Sequence, residues 1–341
     1  MFFVIMYFVV LCMEGLMEIF KDLIGNEDIK KTLGSAILKG EFSHAYIIEG
    51  PYGSGKHTIA RLASAAIMCQ NTDTLPCKKC NLCQKILNDN CTDVRFYNAF
   101  KIDEVRKIKE AIYESATECD YQVFVLNDAH KMNPQAQNAL LLSLEEPPKN
   151  VIFFLLCQDA NMLLETIRSR AQILRTKPLT KEQIISYIKR NTDYSAPDST
   201  LEEIVISSYG SLGYALDMLN PEKSQALLDS RASTEKFVIS MLNLDTGVGN
   251  LLSSMFSWQR ERVKELLSSS LVVLRDLAVI KKSKNAPLCF YTSQEQAKEI
   301  ASKYSLKKIL DLIDAINEGL YNLGFNASIA GTLTSILASC N

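Results

Sequence analysis

The sequence predicts an α/β domain with a parallel sheet, followed by two helical domains. Three observations predict it. Short continuous apolar runs alternate with helical stretches between Phe20 and about Arg175, as in strands covered by helices on both faces. After Pro178 the strand-like runs stop. Gly and Pro supply only 14 and 9 of 341 residues, a scarcity that favours long helices and excludes an all-β sandwich or a collagen-like chain.

The elements follow in order. Residues 1–16 are apolar except for Glu14, a run shorter than the ~20 residues that span a bilayer. It has neither the basic start nor the small-residue cleavage site of a signal peptide. The plain reading is translation from Met13 or Met17, with an upstream or disordered extension; the sharper one is a membrane tether. Ala45–Glu49 is a strand running into a Gly-rich turn, and Val123–Asn127 and Val151–Cys157 are further strands. Asn133-Pro134 reads as a cap and first residue of a helix that Pro147-Pro148 ends. Thr180–Arg190, Leu201–Ser208 and Tyr214–Leu219 read as helices. From Asn243 onward everything reads as helix, with Leu306, Ile309, Leu310, Ile313 and Leu320 at helical spacing. The expected domains are 17–177, 178–242 and 243–341.

Composition narrows the function. Charged residues make up 22% and hydrophobic ones 47% of the chain, with a net charge of −2. The chain is globular and is no bulk polycation, which disfavours a stand-alone DNA binder. Ten cysteines without a secretory signal argue against a disulfide scaffold.

Gly50-Pro51-Tyr52-Gly53-Ser54-Gly55-Lys56-His57 follows a strand and opens a helix. Gly50, Gly53 and Gly55 let backbone N–H groups face phosphate oxygens, and Lys56 reaches the terminal phosphates. The Ser or Thr hydroxyl that holds Mg²⁺ should follow the Lys, but His57 stands there. Thr58 is one residue further, about 100° around the helix. An acidic pair should end the central strand, and the residues there are Asn127 and Asp128. Together these changes predict a site that hydrolyses ATP poorly or not at all, and they leave open whether ATP or ADP binds there.

Cys69, Cys77, Cys80 and Cys83 form a cluster with two successive C-x₂-C steps. Four thiolates match tetrahedral structural Zn²⁺, with an Fe–S cluster as the alternative. A redox C-x-x-C would leave Cys69 unexplained. Cys91 is nearby and is read as a spectator.

The ordered set Ile24-Gly25-Asn26-Glu27, Ser43-His44-Ala45-Tyr46, the phosphate loop, the four cysteines, Asp128-Ala129-His130-Lys131-Met132, Asn138-Ala139-Leu140-Leu141 through Leu144-Glu145-Glu146-Pro147-Pro148, and Thr166-Ile167-Arg168-Ser169-Arg170 resembles bacterial DNA polymerase III clamp-loader subunits of the AAA+ class. The match runs from about Phe20 to Leu219. The resemblance implies a P-loop (AAA+/RecA-like) domain with a zinc module inserted at 69–83, then a helical lid and an all-α C-terminal collar for oligomerisation. It implies zinc rather than iron, and a cytoplasmic place at the replisome with no membrane. Its partners would be gamma/tau and delta subunits and, through the complex, the sliding clamp and primer-template DNA.

Within the family, an ATPase motor of the gamma/tau type carries an Arg where this chain has Gly213, in Gly210-Ser211-Leu212-Gly213-Tyr214-Ala215-Leu216. The residue that senses the γ-phosphate falls near Cys157-Gln158 and departs from the usual Thr. These changes, with His57 and Asn127, point to the non-catalytic delta-prime type, with the gamma/tau motor as the alternative. Arg170 survives in Ser169-Arg170-Ala171, where the family has Ser-Arg-Cys. The resemblance makes it an arginine finger acting on a neighbour's ATP, and leaves Arg168 as surface charge.

Overall fold

The computed structural model describes residues 20–71, 75–98, 102–194, 198–244, 247–283, 288–291, 293–324 and 327–339. The extension at 1–16 lies outside them. The chain divides into two compact units, residues up to Ile184 with Gly210–Tyr214, and Ile185–Tyr209 with Ala215–Asn341.

The first unit holds a parallel sheet of β1 (Ala45–Glu49), β2 (Val94–Tyr97), β3 (Gln122–Leu126), β4 (Val151–Cys157) and β5 (Gln172–Arg175) in the order β2-β3-β4-β1-β5. Side chains alternate along each strand. Tyr46, Ile48, Val123, Val125, Ile152 and Phe154 enter one core. Ala45, Ile47, Phe124, Leu126, Phe153 and Leu155 enter the other. Both faces are buried, so β4 and, after Gln122, β3 are apolar throughout.

The first core is closed by α1 (Glu27–Lys39) and α2 (Lys56–Ile67), and by the cysteine lobe with α3 (Asn81–Leu87). The second is closed by α4 (Ile102–Ala111) and α5 (Pro134–Glu145). Asn133 caps α5 by accepting from Ala136 N at 2.8 Å, and Pro134 stands in its first turn. The short helix α6 (Glu165–Arg168) precedes β5.

Register decides where chemistry can gather. Glu49 is level with Cys157 and with Arg175, and Leu126 with Leu155. The loops leaving β1, β3, β4 and β5 therefore emerge at one sheet edge, the carboxyl ends of the strands, where open α/β sheets bind ligands. β3 ends at Leu126, so Asn127 is the first residue of that edge rather than the last of the strand.

The second unit is helical among its described residues. Its core gathers Phe237, Leu242, Val263, Leu274, Leu277, Ile309, Ile316 and Leu333. Asp276, within the helix Arg260–Lys282, is fully buried. Its carboxylate accepts from the backbone N–H of Cys289 at 2.7 Å, Phe290 at 2.5 Å and Tyr291 at 3.2 Å, which satisfies the charge. No helix among the described residues is long and apolar enough to cross a membrane.

Candidate functional site

The loop Gly50–Lys56 connects β1 to α2, as its glycines predict. Gly53 and Gly55 have φ of 70° and 90°, a region that side chains resist. Lys56 turns back on its own loop, donating to Gly50 O at 2.6 Å and Pro51 O at 2.8 Å. Burial holds its pKa below the usual lysine value, opposed by the carboxylate of Asp128. The turn at Gly210–Gly213 rests on the same loop. Ser211 Oγ donates to Tyr52 O at 2.7 Å, and Gly213 N donates to Gly53 O at 3.0 Å.

His57, at the metal-hydroxyl position, stacks on Phe96 of β2 with ring centroids 4.8 Å apart and planes 12° from parallel. Asn127, the first residue after β3, has its Oδ1 buried without a hydrogen-bond partner among the described residues. Its amide nitrogen donates to Asn98 Oδ1 at 3.2 Å. Burial and the nearby Arg61 push the His57 pKa down, so the ring is biased toward its neutral form. Thr58 is exposed. Asp128 has φ 47° and pairs with Lys131 at 2.9 Å. At the end of β4, Gln158 N donates to His130 Nδ1 at 3.4 Å.

Mg²⁺ takes hard oxygen ligands, commonly a carboxylate with phosphates. The two side chains at its expected place are an imidazole stacked on Phe96 and a carboxamide bonded to Asn98, and neither is a carboxylate or hydroxyl. The loop has positive-φ glycines at Gly53 and Gly55, while the residues around it do not fit a metal–nucleotide complex.

The four cysteines predicted as ligands come together, with every Sγ within 4.8 Å of the others. Zinc–sulfur bonds of about 2.3 Å in a tetrahedron place sulfurs ~3.8 Å apart, so small side-chain rotations suffice. Backbone N–H groups already point at the sulfurs, Cys77 N to Cys69 at 3.3 Å, Cys80 N to Cys77 at 3.3 Å and Cys83 N to Cys80 at 3.4 Å. Those of Cys80 and Lys79 lower the Cys77 pKa to about 6. Burial raises Cys69 and Cys83 instead. The donor set fits a metal that binds thiolates. Cys91 stands outside the quartet, beside Cys119, a neighbour that sequence spacing gave no means of finding.

Arg170 follows α6 and stays 35% exposed. Its Nη1 donates to Thr166 O at 2.9 Å and Ser169 Oγ at 3.1 Å, and its Nη2 pairs with Glu145 at 2.8 Å. Arg168 donates to Asn161 Oδ1 at 2.9 Å. His44 lies 3.1 Å from Leu144 O, so two separated sequence motifs meet at the end of α5. Glu145 and Phe96 were missed as site residues, because only the fold brings them to Arg170 and His57.

Comparison with known proteins gives these features relatives. A sequence-family profile described as "DNA polymerase III, delta subunit" matches residues 25–180. DNA polymerase III subunit tau of Bacillus subtilis is 27% identical over 321 residues, covering 88% of this chain and 57% of that protein. Subunit gamma of Buchnera aphidicola, from Acyrthosiphon pisum, is 31% identical over 209 residues, 59% of this chain and 58% of the relative. Subunit tau of Escherichia coli is 28% identical over 261 residues, 74% and 40% respectively. The chain thus spans about half the length of the curated relatives it matches. Among solved structures, a gamma-subunit-related protein of Thermotoga maritima aligns over 91% of this chain and 97% of its own, with 19% identity and a TM-score of 0.41. The specific delta-prime assignment is not carried by these relatives, which are named gamma and tau. From the phosphate loop to the Ser-Arg motif, the homologues of this chain are DNA polymerase III gamma and tau subunits, of the clamp-loader family.

Proposed function

We propose that the chain is a clamp-loader subunit that does not turn over ATP itself, in the manner of delta-prime. It would form a ring with gamma/tau and delta subunits at the replisome in the cytoplasm, and help load the sliding clamp on primer-template DNA. The observation that carries this reading is that His57 is stacked on Phe96 and Asn127 is turned to Asn98. These two side chains stand at the positions whose oxygen ligands a metal-dependent ATPase needs.

Arg170 supports the other half of the reading. A guanidinium held at the surface of one subunit can reach the γ-phosphate of ATP on the next. There it would stabilise charge that develops as the phosphoryl group leaves. The four cysteines would hold one structural Zn²⁺, with all four positions filled by thiolate and none open for catalysis.

A second reading is an ATP-hydrolysing motor of the gamma/tau type. The names of the relatives favour it, as does the intact Gly55-Lys56 pair. Reconstitution with motor and delta subunits separates the two. A non-catalytic subunit loses function with Arg170→Ala and tolerates Lys56→Ala; a motor shows the reverse order.

A further inference from the structure

Arg170 is not presented bare. All of its terminal nitrogens that the hydrogen bonds engage have partners, and these partners differ in kind. Thr166 O and Ser169 Oγ belong to the turn that carries Arg170 and move with it. Glu145 belongs to a different element, the last residue of α5, 25 positions earlier in the chain.

Glu145 sits in a place that helix electrostatics disfavour. The last turn of a helix exposes carbonyl oxygens and repels carboxylates, and α5 ends with Glu145 followed by Glu146, with no basic residue in its last turn. Arg170 supplies the missing positive charge from outside the helix. The two side chains are 43% and 35% exposed, and an ion pair this accessible to water is weak and exchanges readily. A polyphosphate carries more charge than one carboxylate and accepts the same guanidinium in forked geometry.

We propose that Glu145 is an exchangeable guard on Arg170. It holds the guanidinium within its own subunit until the phosphates of a neighbouring subunit's nucleotide displace the carboxylate. The exchange trades one hydrogen-bonded anion for another and moves no proton. It rests on the reading of Arg170 given under the proposed function. Its consequence is regulatory: in a loosely closed ring Glu145 keeps the finger, and in a tightly closed ring the phosphates take it. Removing the guard should let the finger engage before the clamp and DNA have closed the ring.

The test uses the reconstituted complex with Glu145→Gln, which keeps size and hydrogen bonding but loses the charge, and with Glu145→Asp, whose shorter carboxylate reaches less far. Assembly is checked by gel filtration. ATP turnover is measured with and without clamp and primed DNA. Glu145→Gln is expected to raise the unstimulated rate about threefold and to change the stimulated rate less than about twofold, so that stimulation itself falls. The effect should vanish when Arg170→Ala is combined with it, the coupling that a merely structural role would not produce. An unchanged stimulation ratio, or a fall in both rates, overturns the guard while leaving the finger intact. If Arg170→Ala alone leaves the neighbour's turnover unchanged, the reading of Arg170 fails, and the guard with it.

Discussion

A Cβ placed on Gly213 would lie 2.6 Å from the Cα of Gly53. That distance is far inside van der Waals contact, and the obstacle is backbone rather than a side chain that could swing away. In gamma/tau motors the resemblance puts an arginine at this position. Here the turn and the phosphate loop are packed in a way that only glycine at both places permits.

Gly213→Arg should therefore destabilise the protein rather than repair a nucleotide site. Overpacking of this kind costs about 1–3 kcal/mol. A thermal melt of the variant should show a lower midpoint, and its ATP turnover should stay at background. A variant as stable as the wild type with new ATPase activity would refute the packing argument.

The isolated protein should hydrolyse ATP at background rate, and Lys56→Ala should not change that rate. The combined substitution His57→Thr and Asn127→Asp restores an oxygen pair at the metal position. It should raise affinity for Mg·ATP by calorimetry more than either change alone, because each single variant leaves one ligand missing.

His57 should leave a mark on the pH dependence of stability. Its folded pKa is depressed below 6.5 by burial and Arg61. As pH falls through 6.5 the unfolded chain takes up a proton that the folded site resists, so stability declines until the depressed value is reached. His57→Phe keeps an aromatic face for Phe96 and removes this titration. Urea midpoints at pH 8 and pH 5.5 should differ less for the variant than for the wild type.

Metal analysis should find one zinc per chain. Cys77→Ser should abolish stoichiometric zinc and loosen the lobe while the sheet keeps its far-ultraviolet signal. Cys91→Ser should keep the metal, since Cys91 stands outside the quartet. A brown chromophore would assign iron instead.

In the reconstituted complex, Arg170→Ala should lower turnover at the neighbouring site at least about tenfold, which corresponds to a loss of 1.4 kcal/mol of transition-state stabilisation. Total turnover should fall less, because other motor sites keep fingers of their own. Lys56→Ala should have a much smaller effect, and gel filtration should show the ring intact in both.

Much of the sheet was legible because β1, β3 and β4 are buried on both faces, and continuous apolar runs have few other uses. β2 and β5 were not legible. Val94–Tyr97 and Gln172–Arg175 are the two edge strands, only half-buried, and they mix Arg, Gln and Tyr with apolar residues. The quartet could be read from spacing because its ligands lie within 15 residues. Glu145 could not be paired with Arg170 in this way. The contact depends on where α5 ends relative to β5, which is a property of the packed sheet and leaves no local pattern. His57 was visible as a departure, whereas its stacking on Phe96 needed the β2 edge beside the loop.

Lys56 satisfies its ammonium on Gly50 and Pro51 of its own loop. A ligand that binds only the folded state raises stability in proportion to its occupancy, so proteins that depend on ATP for their shape soften when it runs short. Here the lysine is held by its own loop, and under the proposed function the fold would lean little on such support. The subunit would keep the same form in a starved cell as in a growing one, a fixed reference against which moving neighbours can be measured.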